Sequence, residues 1–312
     1  MTTCLVTGGA GFIGSHLVEA LVARGDAVRV LDNFSTGKEA NLSAVADRIE
    51  LIRGDICDLD AVRKAVAGVQ LVFHQAALVS VPRSMHEPAT NHAINIDGTF
   101  NVLEAAREVA VDGVVLASSA AVYGDLPGLP KSEDMPTGPT SPYGLAKLVG
   151  EQYARLYRQC YGLPTVALRY FNVYGPRQDP SSPYSGVISI FMDRLLAGDG
   201  VTIYGDGEQT RDFVYVTDIV RANLLAASSP PEAAGQVFNV STGQATTINA
   251  LWDTLQAIAG GSQPARHADA RSGDIRHSVA SPERARRVLG YEPSTPLTEG
   301  LRRTLEWYRA SR

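Results

Sequence analysis

Tyr143 and Lys147 stand four residues apart in the run Ser141-Pro-Tyr-Gly-Leu-Ala-Lys147. On a helix that spacing puts a phenol and an ammonium on one face. The chain of 312 residues holds twelve tyrosines and four lysines. Random placement gives roughly 0.15 such pairs, so the spacing carries information. A free phenol titrates near pH 10. A base working near neutrality needs it about three units lower, a preference of about 4 kcal/mol for the phenolate. A neighbouring ammonium and a cationic cofactor ring could supply that together. Upstream lies Ser118-Ser119-Ala-Ala-Val-Tyr-Gly124. The hydroxyl of Ser119, or of Ser118 beside it, can bridge a substrate hydroxyl and the phenol of Tyr143. Each piece alone has a plainer reading, as a surface pair or a strand-end serine; the combination points to proton removal from an alcohol.

A second set of residues supplies a place for a dinucleotide. Thr7-Gly-Gly-Ala-Gly-Phe-Ile-Gly14 follows an apolar run and opens a helical one. Gly8, Gly11 and Gly14 let the turn tighten and let the backbone approach a pyrophosphate. Its charge then meets the helix N-terminus, with Phe12 and Ile13 in the first turn. Asp32 ends the next apolar run about twenty residues on, placed to accept ribose hydroxyls. An acid there repels a 2′-phosphate, so NAD is expected over NADP. Asp55-Ile56 would border the adenine, although Asp55 reads equally well as a helix cap.

These residues need a frame that brings them together. The first half alternates short apolar runs with amphipathic stretches, the pattern of a parallel sheet covered by helices. Strands are expected at Cys4–Thr7, Ala27–Asp32, Ile49–Gly54, Leu71–His74, Val114–Ser118 and Pro164–Tyr170. Helices are expected at Ile13–Arg24, Leu59–Ala67, Asp97–Ala110 and Tyr143–Tyr161. Apolar stretches such as Val114-Val115-Leu116 suit strands buried on both faces. The rhythm breaks after about Asn172, where Pro, Gly and Ser crowd residues 175–186. Val237–Val240 reads as a strand returning to the sheet. The fold class is therefore α/β, a Rossmann-type doubly wound parallel sheet with a smaller C-terminal substrate lobe. Residues 1–174 form the dinucleotide domain with a return segment near 213–242, and 175–312 supply mainly the lobe over the sheet's carboxyl edge.

Composition excludes several classes. Hydrophobic content of 45% and charged content of 20% are ordinary for a folded protein. A net charge of −5 argues against a nucleic-acid surface. No apolar run approaches the roughly 18 residues of a membrane span. The start, Met-Thr-Thr-Cys-Leu-Val-Thr-Gly-Gly, lacks the layout of a secretory signal, so a cytoplasmic protein is expected. Cys4, Cys57 and Cys160 form no disulfide framework; all three are expected as reduced thiols, at least two of them buried. The six histidines and three cysteines make no zinc constellation, so no metal is expected, and His74 and His277 read as structural.

Taken together, Thr-Gly-Gly-x-Gly-Phe-Ile-Gly, Ser119 and Tyr143…Lys147 resemble the extended short-chain dehydrogenase/reductase family, and within it the bacterial UDP-N-acetylglucosamine and UDP-glucose 4-epimerases. The resemblance runs almost end to end. It includes Leu31-Asp-Asn-Phe-Ser-Thr-Gly, His74-Gln-Ala-Ala, Ser80-Val-Pro-Arg-Ser, Asn95-Ile-Asp-Gly-Thr, Arg169-Tyr-Phe-Asn-Val-Tyr-Gly, Gly205-Asp-Gly, Arg211-Asp-Phe-Val-Tyr-Val and Arg271-Ser-Gly-Asp-Ile-Arg-His-Ser. It implies that Tyr143 is the base, that Lys147 holds the nicotinamide ribose and tunes Tyr143, and that Ser119 assists proton movement. Asp32, Asn33, Asp55, Ile56, Gln75, Ala76, Ala77, Asn95 and Tyr170 would line NAD. Ser80, Ser119, Asn172, Gln178, Gly186, Arg211, Arg271, Asp274 and Ser278 would line a UDP-sugar, with both arginines toward the diphosphate. Asn95 could instead cap a helix, and Asp274 could pair an arginine. The family also implies a homodimer built by pairing the two long helices into a four-helix bundle.

The implied reaction explains the parts. The C4 proton of a sugar has no neighbouring carbonyl and is not acidic. Inversion therefore proceeds by hydride loss to NAD while Tyr143 takes the hydroxyl proton, and a 4-keto sugar receives the hydride back on its other face. In related 4,6-dehydratases the serine position carries Thr followed by Asp-Glu, and in related decarboxylases a Glu sits two residues before the Tyr-Gly pair. Here Ala120 and Ala121 occupy those places, and neither can act as acid or base. Ser278 matches the position where a bulky residue closes the pocket against an N-acetyl group, so both acetylated and plain UDP-hexoses are expected to enter. Val79 stands where an acetyl-preferring relative has glycine. The competing readings are a dehydrogenase or dehydratase of the same family, and a non-catalytic NAD-binding regulator.

Overall fold

The computed structural model describes residues 1–179, 186–270 and 275–311. Its centre is a seven-stranded sheet. The strands are β1 (Thr3–Thr7), β2 (Ala27–Asp32), β3 (Ile49–Arg53), β4 (Leu71–His74), β5 (Gly113–Ser119), β6 (Thr165–Tyr170) and the strand Gln236–Val240. Across the sheet the order is Gln236–Val240, β6, β5, β4, β1, β2, β3. Every pairing in it is parallel. The chain reverses its direction of travel between β1 and β4, and a cleft opens at the carboxyl ends of strands where such a reversal occurs.

Strand side chains alternate between faces, and the sheet is apolar on both. Cys4, Val6, Val28, Val30, Phe73 and Val115 face one core. Leu5, Leu31, Val72, Val114 and Leu116 face the other. The first core is covered by α1 (Phe12–Arg24), through Leu17, Val18 and Leu21, and by the helix Val216–Ala227, through Ile219 and Ala222. The second is covered by α2 (Leu59–Val66) and the helices Gly98–Glu108 and Pro142–Tyr161. The expected strands and helices appear within a residue or two. Val237–Val240 does return to the sheet, one residue longer, beside β6.

The helix expected over Asp97–Ala110 starts differently. Pro88–His92 is helical, Ala93–Asp97 widens into a π turn, and Gly98–Glu108 continues it. A π turn admits one extra residue and re-aims the side chains around it. A short helix, Val81–His86, capped by Ser80, also precedes it. The cysteine expectation needs correction. Only Cys4 is buried; Cys57 and Cys160 are exposed, because no other segment packs fully over them.

Residues beyond Asn172 build a second, smaller core from Phe191, Met192, Trp252, Leu301 and Leu305. Its strands are short. Asn172–Tyr174 pairs with Phe213–Tyr215, Val201–Tyr204 with Ala265–Ala268, and Thr210–Arg211 lies between Thr246–Thr247 and His277–Ser278. No helix among the described residues is long and apolar enough to cross a membrane.

Candidate active site

The glycine-rich turn sits at the end of β1, above the reversal point. Gly8 has φ +68°, and a Cβ there would lie 2.7 Å from the backbone of Ala76. A Cβ on Gly14 would lie 2.1 Å from the carbonyl oxygen of Gly8. Neither position tolerates a side chain. Gly11 is the N-cap of α1 and offers no side-chain cap, so the first amides, Phe12 and Ile13 among them, remain available to an anion. Asp32 follows at the end of β2, buried, accepting from the amides of Ala10 at 2.9 Å and Phe34 at 2.8 Å. Asn33 donates to Asp55 at 2.8 Å, and Ile56 packs under Gly98. Burial pushes the Asp55 carboxyl up, but the Cys57 amide and Asn33 outweigh it and hold the group below the usual carboxylate range. The cradle without Cβ atoms, the uncapped helix start and the acid at the strand end fit an NAD dinucleotide.

The segment after β4 forms the opposite wall. Gln75 donates to Asn223 at 3.0 Å and accepts from Tyr170 at 3.2 Å, and Asn223 donates to the Tyr170 hydroxyl at 2.7 Å. Ala76 donates its amide to Thr7 at 3.3 Å, and Ala77 continues this wall. Asn95, in the π turn, accepts from the Leu78 amide at 2.9 Å and donates to the Leu78 carbonyl at 3.0 Å. Its amide group is thereby engaged in fixing this segment. His74 is held between Thr7 at 2.8 Å and Thr99 at 3.0 Å. Thr99 donates its own hydroxyl to the Asn95 carbonyl, so His74 Nε2 carries the proton and Nδ1 accepts. Burial and the nearby Lys147 push His74 down to about 3, so it stays neutral and structural, as its spacing implied.

The chemical groups meet where β5 ends against the Pro142–Tyr161 helix. Ser141 caps that helix through the Gly144 amide, and Pro142 starts it. Tyr143 and Lys147 are buried on its inner face. The Ser119 hydroxyl stands beside the Tyr143 phenol and accepts from the Ala121 amide at 3.2 Å. Burial pushes the phenol above its usual range, and Ser119 offsets only part of this. The Lys147 ammonium lies 5.9 Å from the centre of the Tyr143 ring and donates to the Ala117 carbonyl at 2.9 Å. Burial drives it down to about 8, opposed by the Glu151 carboxylate. Of the two serines, Ser119 faces Tyr143, whereas Ser118 donates to Glu151.

The residues expected to line a UDP-sugar are more dispersed. Ser80 caps the Val81–His86 helix through the Arg83 amide. Asn172 is exposed on the short strand after Phe171. Gln178 donates to the Val173 carbonyl at 3.3 Å and lies against Gly186. Arg211 and Ser278 are direct neighbours across two short strands, although 67 residues separate them. Arg271 and Asp274 lie outside the described residues. His277 bonds Thr210 at 3.0 Å, a strand-to-strand contact.

Other contributors are hard to see in one dimension. Ser84 accepts from the Tyr143 amide at 3.1 Å and donates to the Val81 carbonyl at 2.7 Å, tying Tyr143 to a helix 59 residues earlier. Asn223 completes the Gln75–Tyr170 wall from the far side of the sequence. Glu151 was legible only as a third residue on the Tyr143–Lys147 face, one further turn along.

Comparison with known proteins agrees with this geometry. Residues 4–241 match the NAD dependent epimerase/dehydratase family. The chain is 42% identical over 307–309 residues, 98% of both lengths, to proteins that include a UDP-glucose 4-epimerase of Mycolicibacterium smegmatis. It superposes with a TM-score of 0.95 on a UDP-glucose 4-epimerase of Thermotoga maritima solved with UDP-glucose, at 40% identity and 99% coverage of both chains. It superposes with a TM-score of 0.96 on a UDP-N-acetylglucosamine 4-epimerase of Methanobrevibacter ruminantium in complex with UDP-N-acetylmuramic acid, at 39% identity, covering 100% of this chain and 99% of that one. The chain belongs to the NAD-dependent epimerase/dehydratase family, as an enzyme with NAD for its cofactor.

Proposed function

We propose that the protein inverts C4 of UDP-hexoses, interconverting UDP-N-acetylglucosamine with UDP-N-acetylgalactosamine, and UDP-glucose with UDP-galactose. The observation that carries this reading is the cluster of Ser119, Tyr143 and Lys147 at the end of β5, with Ala120 and Ala121 next to it in place of any acid. Among the described residues of this cluster, Ala120 and Ala121 offer no acid or base for water elimination or decarboxylation; the groups present serve alcohol oxidation and its reversal.

In this reading Tyr143 takes the C4 hydroxyl proton and later returns one, and Ser119 holds that hydroxyl on the phenol. Lys147 holds the nicotinamide ribose and places a positive charge beside the base. NAD, when bound, supplies the redox capacity, accepting and returning a hydride, and its oxidised ring adds positive charge near the phenol. Gly8, Gly11, Phe12, Ile13, Gly14, Asp32, Asn33, Asp55, Ile56, Gln75, Ala76, Ala77, Asn95 and Tyr170 form its surroundings. Ser80, Asn172, Gln178, Gly186 and Arg211 would border the UDP-sugar, with Arg271 and Asp274. The short-strand pairing of Ser278 with Arg211 supports a small residue beside the diphosphate arginine. In this reading that small residue leaves room for an acetamido group, and Val79, 70% exposed, is the residue that would oppose one.

The homodimer belongs to the same reading. Phe100, Leu145, Leu156 and Tyr161 are exposed apolar residues on the two long helices, which offers a self-complementary bundle face.

The test is incubation with UDP-N-acetylglucosamine and no added NAD, following the anomeric protons by NMR. Appearance of the galacto epimer is expected. Turnover of UDP-glucose alone would place the acetyl barrier at Val79, and a Val79→Gly variant should then open it. Silence with both sugars after adding NAD would overturn the proposal and favour a regulator.

A further inference from the structure

The face that carries Tyr143 and Lys147 continues one more turn to Glu151, which is 3% exposed and yet ionisable. A buried carboxylate is costly unless every oxygen is satisfied. Here both oxygens are. Arg169 on β6 binds it with two parallel hydrogen bonds, Nε to Oε1 at 2.9 Å and Nη2 to Oε2 at 2.7 Å. Ser118 on β5 donates to Oε1 as well. The Arg169 guanidinium also lies 4.7 Å from the centre of the Tyr123 ring, and Tyr123 donates to Asn239 at 2.8 Å. Glu151 is therefore pinned from two strands and cannot swing away.

The network brackets the chemical groups. Ser118 stands between Ala117, whose carbonyl receives the Lys147 ammonium, and Ser119, which meets the phenol. Arg169 precedes Tyr170 on the neighbouring strand, in register with Ser118. We propose that Glu151 is a positioning residue of the reaction, a fixed buried counter-charge that keeps the Lys147 ammonium in service next to Tyr143.

The groups around Lys147 leave this task to Glu151. On its own helix the neighbours one turn away are Tyr143 and Glu151. The sheet side offers His74 on β4, held neutral by burial. On β6 Arg169 is turned onto Glu151, and Tyr170 spends its hydroxyl on Gln75 and Asn223. At the end of β5 stand Ser118 and Ser119, which carry no charge. Without the carboxylate, burial acts on Lys147 unopposed, and a neutral amine cannot stabilise a phenolate.

The inference rests on the epimerase reading, and its test separates the two. The chain has four lysines, Lys38, Lys64, Lys131 and Lys147, so lysine labelled with carbon-13 at Cε resolves the Lys147 titration by NMR with no turnover required. In Glu151→Gln its midpoint should fall by about one pH unit. The alkaline limb of kcat should move down by the same amount, with kcat at pH 8 falling about fivefold and KM changing less than about twofold. The single variant leaves Arg169 buried and unpaired. Should it fail to fold, Glu151→Gln with Arg169→Gln removes both charges, and a smaller fall in the same direction is expected there, because the opposing guanidinium charge leaves with the carboxylate. A Lys147 midpoint and pH profile equal to wild type, with only a lower melting temperature, would overturn the proposal. Wild-type protein that turns over no UDP-sugar would instead overturn the epimerase reading, and the NMR titration would still decide the role of Glu151.

Discussion

Burial of the Tyr143 phenol raises its pKa, and the polar contact with Ser119 only moderates this. A productive base therefore needs cationic help, which Lys147 and the oxidised cofactor ring provide in the proposed mechanism. Tyr143→Phe removes the proton acceptor and leaves the packing intact. It should lower kcat by about 10²–10⁴-fold while NAD stays bound, measured by turnover of UDP-sugar and by cofactor absorbance after gel filtration. His74 gives a separate prediction at this scale. Its imidazole titrates at about 3 when folded and near 6.5 when unfolded. The folded value is depressed, so this stability is present above pH 6.5 and is lost as pH falls from there toward 3. The loss is about 1.4 kcal/mol per pH unit. In His74→Gln, urea unfolding between pH 6 and 4 should show a pH slope flatter by about that amount.

Two elements set the geometry of the cleft. The first is the strand–turn–helix unit of β1 and α1. Since a Cβ on Gly14 would overlap the Gly8 carbonyl, Gly14→Ala must open the turn. Purified Gly14→Ala protein should lose most of its co-purifying NAD, checked by absorbance of the acid-released cofactor, at a fold stability reduced by about 1–3 kcal/mol. The second is the π turn at Ala93–Asp97, whose Asn95 clamps the backbone of Leu78. The glycine pattern announced the first element because only glycine fits there. Nothing in Asn95-Ile-Asp-Gly announced the second, since a π turn depends on what packs against the helix.

At the scale of the whole molecule the exposed faces of the two long helices carry the prediction. Leu156 is 47% and Tyr161 57% exposed, beside an aromatic array in which Phe100 and Tyr153 rings lie 5.8 Å apart. If the two long helices pair as proposed, wild type sediments as a dimer and a double variant, Phe100→Glu with Leu156→Glu, as a monomer, because the new charges would be buried in an apolar face. Circular dichroism should stay unchanged, since both side chains already face outward. Equal sedimentation of the two proteins would remove the bundle from the reading.

Local rules were sufficient for much of this. The seven parallel strands, α1 and the Tyr143–Lys147 face followed from apolar periodicity, glycine sterics and helical spacing, all properties of neighbouring residues. The same rules failed for Cys57 and Cys160, whose burial depends on what other segments cover. They also could not reach the meetings across the chain: Ser84 on the Tyr143 amide, Asn223 on Gln75 and Tyr170, Arg211 beside Ser278, and Glu151 between Ser118 and Arg169. The sequence alone determined which chemical groups exist and which elements carry them, because propensity and periodicity act over a few residues. Only the tertiary structure decided which groups lose water together. That loss sets the protonation of Tyr143, Lys147 and His74, and it depends on every segment that packs around them.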